Sequence, residues 1–279
     1  MQLSINIRNW GTQSTPAMLL ECARAADESG LDTLWLNEHL AIPPQADMPD
    51  RVPQGFAEGR FLDPMATLSF LAAATRRIGL GTAVLLLPYR LPLQTAKLVA
   101  TVQELSGGRL RLGVGTGWMK EEFQALGVDH ARRGAISNSV LALLRECFEN
   151  DVVESNGQSL LFRPRPARPP IYVGGAPPHA LRRAVQYGDG WIPAGIEPQA
   201  LTTHIAELRQ MSQAAGRPPL EVIAMKTLAI DDPPKAIDYA GQFAEAGVNH
   251  LVHTQGYADA AEYRRNVATL EEKIRPAVA

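Results

Sequence analysis

This chain of 279 residues has few cysteines, no excess of basic charge and no long apolar run. Cys22 and Cys147 are its two cysteines, and two are too few for a disulfide framework. Each lies in an apolar helical pattern, which predicts a buried, reduced thiol. Lys and Arg number 27 against 29 Asp and Glu, a formal net charge of -2. That balance offers no broad basic surface for nucleic acid or an anionic membrane.

Targeting and membrane signals are lacking as well. Residues 1–8 (MQLSINIR) alternate as a strand does and contain no basic region followed by an apolar run, so we expect no secretion signal. No apolar stretch has the length of a transmembrane helix. We therefore expect a cytoplasmic protein that binds neither nucleic acid nor membranes.

What the chain does contain is an alternation of short β-type runs and helical segments. Proline suits the first position of a helix, and Thr15 and Asp63 are plausible N-caps. The predicted helix starts are Pro16, Pro64, Pro92, Pro178, Pro198 and Pro234. The predicted strands are residues 3–7, 33–37, 78–85, 110–114, 171–174, 190–193, 222–229 and 250–253.

Eight strand–helix units in this length match an α/β fold of the (β/α)8 TIM-barrel type better than an open doubly wound sheet. We predict a single barrel domain over residues 1–279. The long proline- and glycine-rich loop 41–61 after the second strand predicts a functional lid. Asn156 and Gly157 predict a two-residue hairpin turn, in an insertion between the fourth and fifth units.

The fourth predicted strand ends in glycines, at Gly113, Gly115 and Gly117, and Trp118 follows. The dinucleotide pattern G-x-G-x-x-G requires glycine where Trp118 stands, and no G-K-[ST] sequence of a P-loop occurs. Bare backbone at a strand's carboxyl end suits a flat or anionic ligand. Glycines that merely permit a tight strand exit are the alternative.

His39 is the most informative single residue. It follows the second predicted strand, beside Glu38. The ordinary pKa of imidazole lies nearest neutrality among side chains, which suits proton transfer. A histidine hydrogen-bonded to backbone without a chemical role is the alternative, and the sequence leaves both open. A metal role is disfavoured because the other histidines lack ligand spacing.

Residues 174–176 precede the helix predicted to begin at Pro178. Free N–H groups at a helix amino terminus bind phosphate without any lysine, although a simple turn is the alternative. Arg90 and the pair Arg182 and Arg183 could add positive charge, but exposed arginines on helices are usually only solvated.

The four tryptophans differ in position. Trp35 lies inside a predicted strand and is expected in the core. Trp10 and Trp118 follow strands at the rim where barrel enzymes place their sites. Trp191 begins a strand, where packing and ligand stacking are both open.

Several blocks, in this order, resemble the bacterial luciferase-like monooxygenase superfamily, the LLM class of flavin- or coenzyme F420-dependent oxidoreductases. They are residues 30–39 (GLDTLWLNEH), 63–64 with 77–82 (RIGLGT), 105–118 (LSGGRLRLGVGTGW), 121–127 (EEFQALG), and 172–175 (YVGG) with 188–191 (GDGW). The resemblance covers most of the chain, to about Trp191. The short length and the Ser-Gly-Gly-Arg form are most similar to the subgroup that depends on F420, a deazaflavin.

The resemblance implies a flavin or deazaflavin ring against the ends of the third and fourth strands. Ala83 and Val84 match a non-prolyl cis peptide that backs the ring, and His39 matches the family's active-site histidine. The implied cofactor-binding residues are Ala83, Val84, Gly115, Thr116, Gly117, Gly174, Gly175 and Ala176.

Two departures from the family bear on the substrate. Trp118 stands where deazaflavin-dependent sugar-phosphate dehydrogenases carry a catalytic glutamate, and Glu197 stands where they carry a phosphate-binding lysine. Sugar-phosphate oxidation is therefore disfavoured. A hydrophobic substrate in a pocket that includes Trp10, Glu38 and Trp118 is the expectation.

The resulting hypothesis is an oxidoreductase that uses coenzyme F420 for hydride transfer to or from a small organic molecule. An FMN-dependent monooxygenase is the alternative, and a non-catalytic flavin-binding barrel is an alternative of another class. A separate reductase that supplies reduced cofactor, and a second copy of the chain in a homodimer, are further expected partners.

Overall fold

The computed structural model describes residues 1–44, 52, 54–56 and 59–278. Its strands are β1 (Gln2–Asn6), β2 (Thr33–Leu36), β3 (Gly79–Leu86), β4 (Leu110–Gly115), β5 (Val152–Ser155), β6 (Gln158–Leu161), β7 (Ile171–Gly174), β8 (Gly190–Ile192), β9 (Glu221–Lys226) and β10 (His250–His253). Its α-helices are α1 (Pro16–Glu28), α2 (Pro64–Ala74), α3 (Pro92–Leu105), α4 (Lys120–Ala125), α5 (Arg133–Glu149), α6 (His179–Tyr187), α7 (Pro198–Ala214), α8 (Pro233–Ala246), α9 (Ala260–Thr269) and α10 (Arg275–Val278). None of the helices in these ranges is both long and apolar enough to cross a bilayer.

Eight parallel strands close into a barrel in the order β1-β10-β9-β8-β7-β4-β3-β2. Helices alternate with these strands along the chain, so the predicted (β/α)8 architecture is confirmed. All eight predicted strands are present. The predicted strand 222–229 is too long at its end, since β9 stops at Lys226.

Proline marks most helix starts as predicted. The Thr15 hydroxyl accepts a hydrogen bond from the Met18 N–H at 3.3 Å, and the Asp63 carboxylate accepts one from the Ala66 N–H at 2.9 Å. Pro178 is a capping residue instead, and α6 begins at His179. In α8, Pro233 occupies the first position and the predicted start is one residue late.

The barrel interior holds its own apolar cluster, separate from the larger core between strands and helices. Trp35, Tyr172, Ile192, Ile223 and Val252 form this cluster. Trp35 fits because β3 has glycine opposite it: a Cβ on Gly81 would lie 2.3 Å from the indole Cε3. Trp35 is therefore a core residue, as expected.

An antiparallel hairpin of β5 and β6 lies outside the barrel sheet, between β4 and β7 in the chain. Asn156 and Gly157 form its turn with φ of 52° and 77°, as a type I′ turn requires. Val153 and Phe162 are buried in the main core, so the hairpin is anchored to the barrel's helical layer.

Both cysteines are free and buried. Burial raises the pKa of the Cys22 thiol to about 12 and that of Cys147 to about 11. Thiolate is the reactive form of cysteine, so these two side chains behave as apolar core residues.

Candidate functional site

His39 and Glu122 form a buried pair at the carboxyl end of the barrel. His39 lies just beyond β2, and Glu122 lies in the first turn of α4, after the glycine-rich exit of β4. The His39 Nδ1 and Glu122 Oε2 atoms are 2.9 Å apart, with side-chain exposures of 8% and 3%. A carboxylate on Nδ1 favours the tautomer that carries its proton there. Nε2 is then the nitrogen available to a ligand.

Three further donors converge on Glu122. The Leu40 N–H lies 2.6 Å from Oε1, the Ala41 N–H lies 3.3 Å from it, and the Tyr89 hydroxyl lies 2.9 Å from Oε2. Burial acts to raise the pKa of Glu122, but its hydrogen bonds and the charge of a protonated His39 outweigh burial and lower this pKa. Glu122 is therefore an ionised carboxylate at neutral pH.

Aromatic rings surround the imidazole. Ring centroids of Phe56, Phe61 and Trp118 lie 5.3, 5.2 and 5.7 Å from that of His39. Trp10 continues the cluster, with its ring 4.8 Å from Phe56 and 6.1 Å from Phe61. We call these four rings the aromatic wall. It gives the histidine an apolar environment from which water is readily excluded.

A cavity of about 350 Å3 opens at this point, of a size that suits a small-molecule ligand. It brings His39 together with the predicted residues Glu38, Ala83, Val84 and Trp118. Its lining residues are Asn37, Glu38, His39, Phe56, Ala83, Val84, Leu86 and Trp118.

The glycines at the ends of β4 and β7 make room for Val84. The Ala83–Val84 peptide is cis, and the β3–β4 register shifts between Thr82 and Leu85. A Cβ on Gly115 would lie 2.4 Å from Val84 Cγ2, and one on Gly174 would lie 2.8 Å from Val84 Cγ1. The absence of side chains at both positions therefore lets Val84 form a smooth wall of the cavity.

The loop at 174–178 offers fewer free N–H groups than the sequence suggests. The Gly175 N–H donates to the Ile192 carbonyl at 3.1 Å, and Pro177 and Pro178 have no N–H. Of this segment, the N–H groups of Ala176 and of His179 at the start of α6 have no acceptor among the described residues and could meet an anion. Trp191 is fully buried, and its Nε1 donates to the Gly175 carbonyl at 2.8 Å, so it packs and cannot stack on a ligand.

A second, polar cavity of about 240 Å3 adjoins this loop. Two arginines, Arg133 and Arg183, face it beside Thr116. Its lining residues are Thr116, Ala131, Arg133, Gly134, His179 and Arg183. The cavity lies between the exit of β4 and the start of α6 and presents positive charge.

Arg90 does not contribute to that positive charge. It forms ion pairs with Glu38 and with Asp63, the second at 2.6 Å. Glu38 also accepts a hydrogen bond from the Leu86 N–H. These contacts connect the ends of β2 and β3. Glu38 lines the cavity, but its carboxylate is already bonded to Arg90 and to the Leu86 N–H.

An amide network beneath the cavity was not predicted from the sequence. Asn6 Nδ2 donates to Asn37 Oδ1 at 3.0 Å, and Asn37 Nδ2 donates to the Ala83 carbonyl at 2.8 Å. Asn9 Oδ1 accepts from the Asn37 N–H at 3.1 Å. The network fixes the cis peptide's carbonyl against the strand β1. The sequence pattern that could have indicated this network is the occurrence of polar residues at alternate positions of β1.

The predicted lid 41–61 falls partly on residues 45–51, 53, 57 and 58, which lie outside the described residues. Its described part supplies Phe56 and Phe61 to the aromatic wall, and Trp10 pairs with Phe61 through an isolated β-bridge.

Comparison with known proteins identifies the family to which this chain belongs. The family model described as luciferase-like monooxygenase matches residues 1–277. An uncharacterized protein of Mycobacterium tuberculosis is 31% identical over 272 residues, which cover 91% of this chain and 93% of that protein. The 4-hydroxyprotoasukamycin monooxygenase of Streptomyces nodosus subsp. asukaensis is 33% identical over 190 residues, 64% of this chain and 47% of that enzyme.

Among solved structures, an F420-dependent secondary alcohol dehydrogenase in complex with an F420-acetone adduct superposes with a TM-score of 0.80. Both chains are covered completely, at 18% identity, so this likeness bears on the fold alone. The family match over nearly the whole length, with the relative's identity, settles membership: the chain belongs to the luciferase-like monooxygenase family, whose members are flavin- or F420-dependent oxidoreductases.

Proposed function

We propose that this chain uses coenzyme F420 for hydride transfer to or from a small, hydrophobic organic substrate. The buried His39–Glu122 pair, which faces a cavity between Val84 and the aromatic wall, carries the proposal. Such a cavity combines a flat apolar surface for a ring with one group suited to proton transfer.

The residues present fit the ring and phosphate of such a cofactor. Val84 would back the ring, with Ala83, Gly115, Thr116 and Gly117 around it, because the glycines leave no side chain in its way. Residues 174–176 would meet the phosphate, with the arginines of the polar cavity supplying charge. When bound, the deazaflavin supplies the hydride acceptor or donor.

The chain's own residues would position the substrate and manage a proton. His39 would donate or accept it at Nε2, and the Glu122 carboxylate would stabilise the protonated imidazole. Trp118, Trp10 and Glu38 would border the substrate, and the aromatic wall would exclude water from the reacting centre.

An FMN-dependent monooxygenase is the second candidate. The similarity to a named monooxygenase at 33% identity favours it, and the cavity would accept an isoalloxazine ring as readily as a deazaflavin. In that case a separate reductase would supply reduced FMN. We also propose a cytoplasmic location, a single domain and a homodimer for either enzyme.

A binding titration separates the candidates. Purified protein is titrated in parallel with F420 and with FMN, and binding is followed by the fluorescence of each cofactor. Tighter binding of F420 is expected. Tighter binding of FMN would replace the first candidate by the second, and binding of neither would contradict both. Binding without turnover of any screened substrate would favour a non-catalytic barrel.

A further inference from the structure

Arg8 follows β1 at the carboxyl end of the barrel, and strand alternation indicates that its side chain faces the barrel mouth. Side chains of a strand alternate between its two faces. Leu3, Ile5 and Ile7 belong to the core between strands and helices, so the even-numbered residues face the interior. Asn6 does so visibly, since its amide bonds to Asn37 beneath the cavity. Arg8 is two residues further toward the mouth.

The guanidinium group of Arg8 is held in place by aromatic rings. Its Cζ lies 4.6 Å from the centroid of the Trp10 ring and 6.0 Å from that of Tyr257. The Arg8 N–H also donates to the Tyr257 hydroxyl at 3.0 Å. A Cβ on Gly256 would lie 2.1 Å from Arg8 Nη2, so the guanidinium group lies against the Gly256 backbone.

No carboxylate of the described residues neutralises Arg8, in contrast with other cations at this rim. Lys226 at the end of β9 forms an ion pair with Glu197, and Arg90 forms pairs with Glu38 and Asp63. Arg8 is partly buried, and among the described residues its guanidinium group has cation–π contacts but no ion pair. A partly desolvated, oriented guanidinium with spare donors is a strong site for a planar anion.

We infer that Arg8 binds a carboxylate of the substrate, and that the substrate is therefore an organic acid with an apolar, aromatic body. Trp10 touches both Arg8 and Phe56. A molecule whose carboxylate meets Arg8 can thus lay its ring along the aromatic wall toward His39. One guanidinium matches one carboxylate in a two-bond geometry.

This inference rests on the proposed function, since it names the substrate class of the proposed enzyme. The described lining of the cavity beside His39 does not include Arg8, and the rings of Trp10 and Phe56 connect the two. It assigns Arg8 to the substrate and not to the cofactor. The arginines proposed for the cofactor's phosphate, Arg133 and Arg183, belong to a separate cavity at the β4 exit and α6. Arg8 lies beside the loop after β10, where Gly256 and Tyr257 are found.

The test measures binding of matched acids and amides by calorimetry. The probes are phenylacetate, cinnamate and indoleacetate, each compared with its primary amide, using protein saturated with whichever cofactor the titration identifies, and also without it. The wild type is expected to bind at least one acid about tenfold or more tightly than its amide, the range for a charge-assisted hydrogen bond. Arg8→Met is expected to remove that preference.

Two variants serve as controls. Arg265→Met removes a charge from an exposed position of α9 and is expected to keep the wild-type preference. Arg8→Lys keeps the charge without the planar fork and is expected to retain a reduced preference. It also covers the case in which Arg8→Met fails to fold.

The inference is overturned if no acid binds more tightly than its amide, or if the preference survives in Arg8→Met. In those cases normal cofactor binding would leave the proposed function standing. If the wild-type protein binds neither cofactor, that result contradicts the proposed function itself, whichever of the acids and amides bind.

Discussion

The barrel carries the same three residue types, tyrosine, glutamate and histidine, at both of its ends. At the carboxyl end, Tyr89 and His39 bond to Glu122. At the amino end, the Tyr172 hydroxyl donates to Glu221 at 2.8 Å, and His250 Nε2 lies 3.4 Å from the same carboxylate. The chemistry of the two clusters is alike, but their surroundings are not.

The difference lies in what each histidine faces. His39 faces a ligand-sized cavity while its glutamate is almost fully enclosed, with 3% exposure against 44% for Glu221. His250 turns its Nδ1 into the barrel floor, where that atom has no partner among the described residues. In barrel enzymes the carboxyl end carries the chemistry and the amino end carries stability. The same three side chains therefore predict a catalytic site at the carboxyl end and a stabilising cluster at the amino end.

Replacing each histidine by alanine is expected to have the largest and most unequal effects at the two ends of the barrel. His39→Ala is expected to lower turnover of a screened substrate by about 10²- to 10⁴-fold, the usual contribution of a general acid or base. His250→Ala, the matched variant, is expected to leave turnover within about twofold. Equal turnover in the two variants would remove the catalytic role of His39.

Glutamine in place of each glutamate is a smaller change. Glu122→Gln keeps the shape but loses the charge that stabilises the protonated imidazole, so turnover is expected to fall about tenfold to a hundredfold. Unchanged turnover would mean that Glu122 merely supports the fold.

Glu221→Gln should affect stability alone. The His250 hydrogen bond, followed by the Tyr172 bond, lowers the pKa of Glu221 below its usual 4.5, although burial opposes them. A carboxyl whose folded-state pKa is lowered stabilises the fold above its unfolded-state pKa, and that stability is lost as pH falls through the folded-state value. About 44% of the Glu221 side chain is exposed, so solvent screening keeps the effect at about 1 kcal/mol or less.

Thermal melting of wild type and Glu221→Gln between neutral and acid pH checks this. The variant is expected to melt about 2 °C lower at pH 7, and the gap should close below pH 4. A gap independent of pH would contradict the role given to the Glu221 charge.

The sequence predicted the barrel because its signals are local. Alternation in strands such as residues 250–253 and proline at helix starts such as Pro92 depend on neighbours along the chain. The resemblance to the family also marked His39, and it identified the cis peptide at Ala83 and Val84, which the structure contains.

The partner of His39 could not be predicted, because Glu122 is 83 residues away in the chain. An acidic residue in the first turn of a helix is ordinarily explained by the helix dipole. The ion pairs of Arg90 and the amide network of Asn6 and Asn37 could not be predicted from the sequence for the same reason. Each joins separate strand exits that only the closed barrel brings together.

A glycine substitution tests whether the cavity beside Val84 holds the cofactor ring, as we propose. Gly115→Ala would place a Cβ 2.4 Å from Val84 Cγ2, so Val84, which we propose to back the ring, must shift. Gly241→Ala is the matched control, since a Cβ there meets nothing within 4 Å.

The measurement is the dissociation constant of F420, and of FMN, for wild type and both variants by fluorescence titration. Gly115→Ala is expected to weaken binding of the preferred cofactor about tenfold or more, a loss of about 1.4 kcal/mol. Gly241→Ala should bind as the wild type does. Unchanged binding by a folded Gly115→Ala protein would mean that the cofactor ring lies elsewhere.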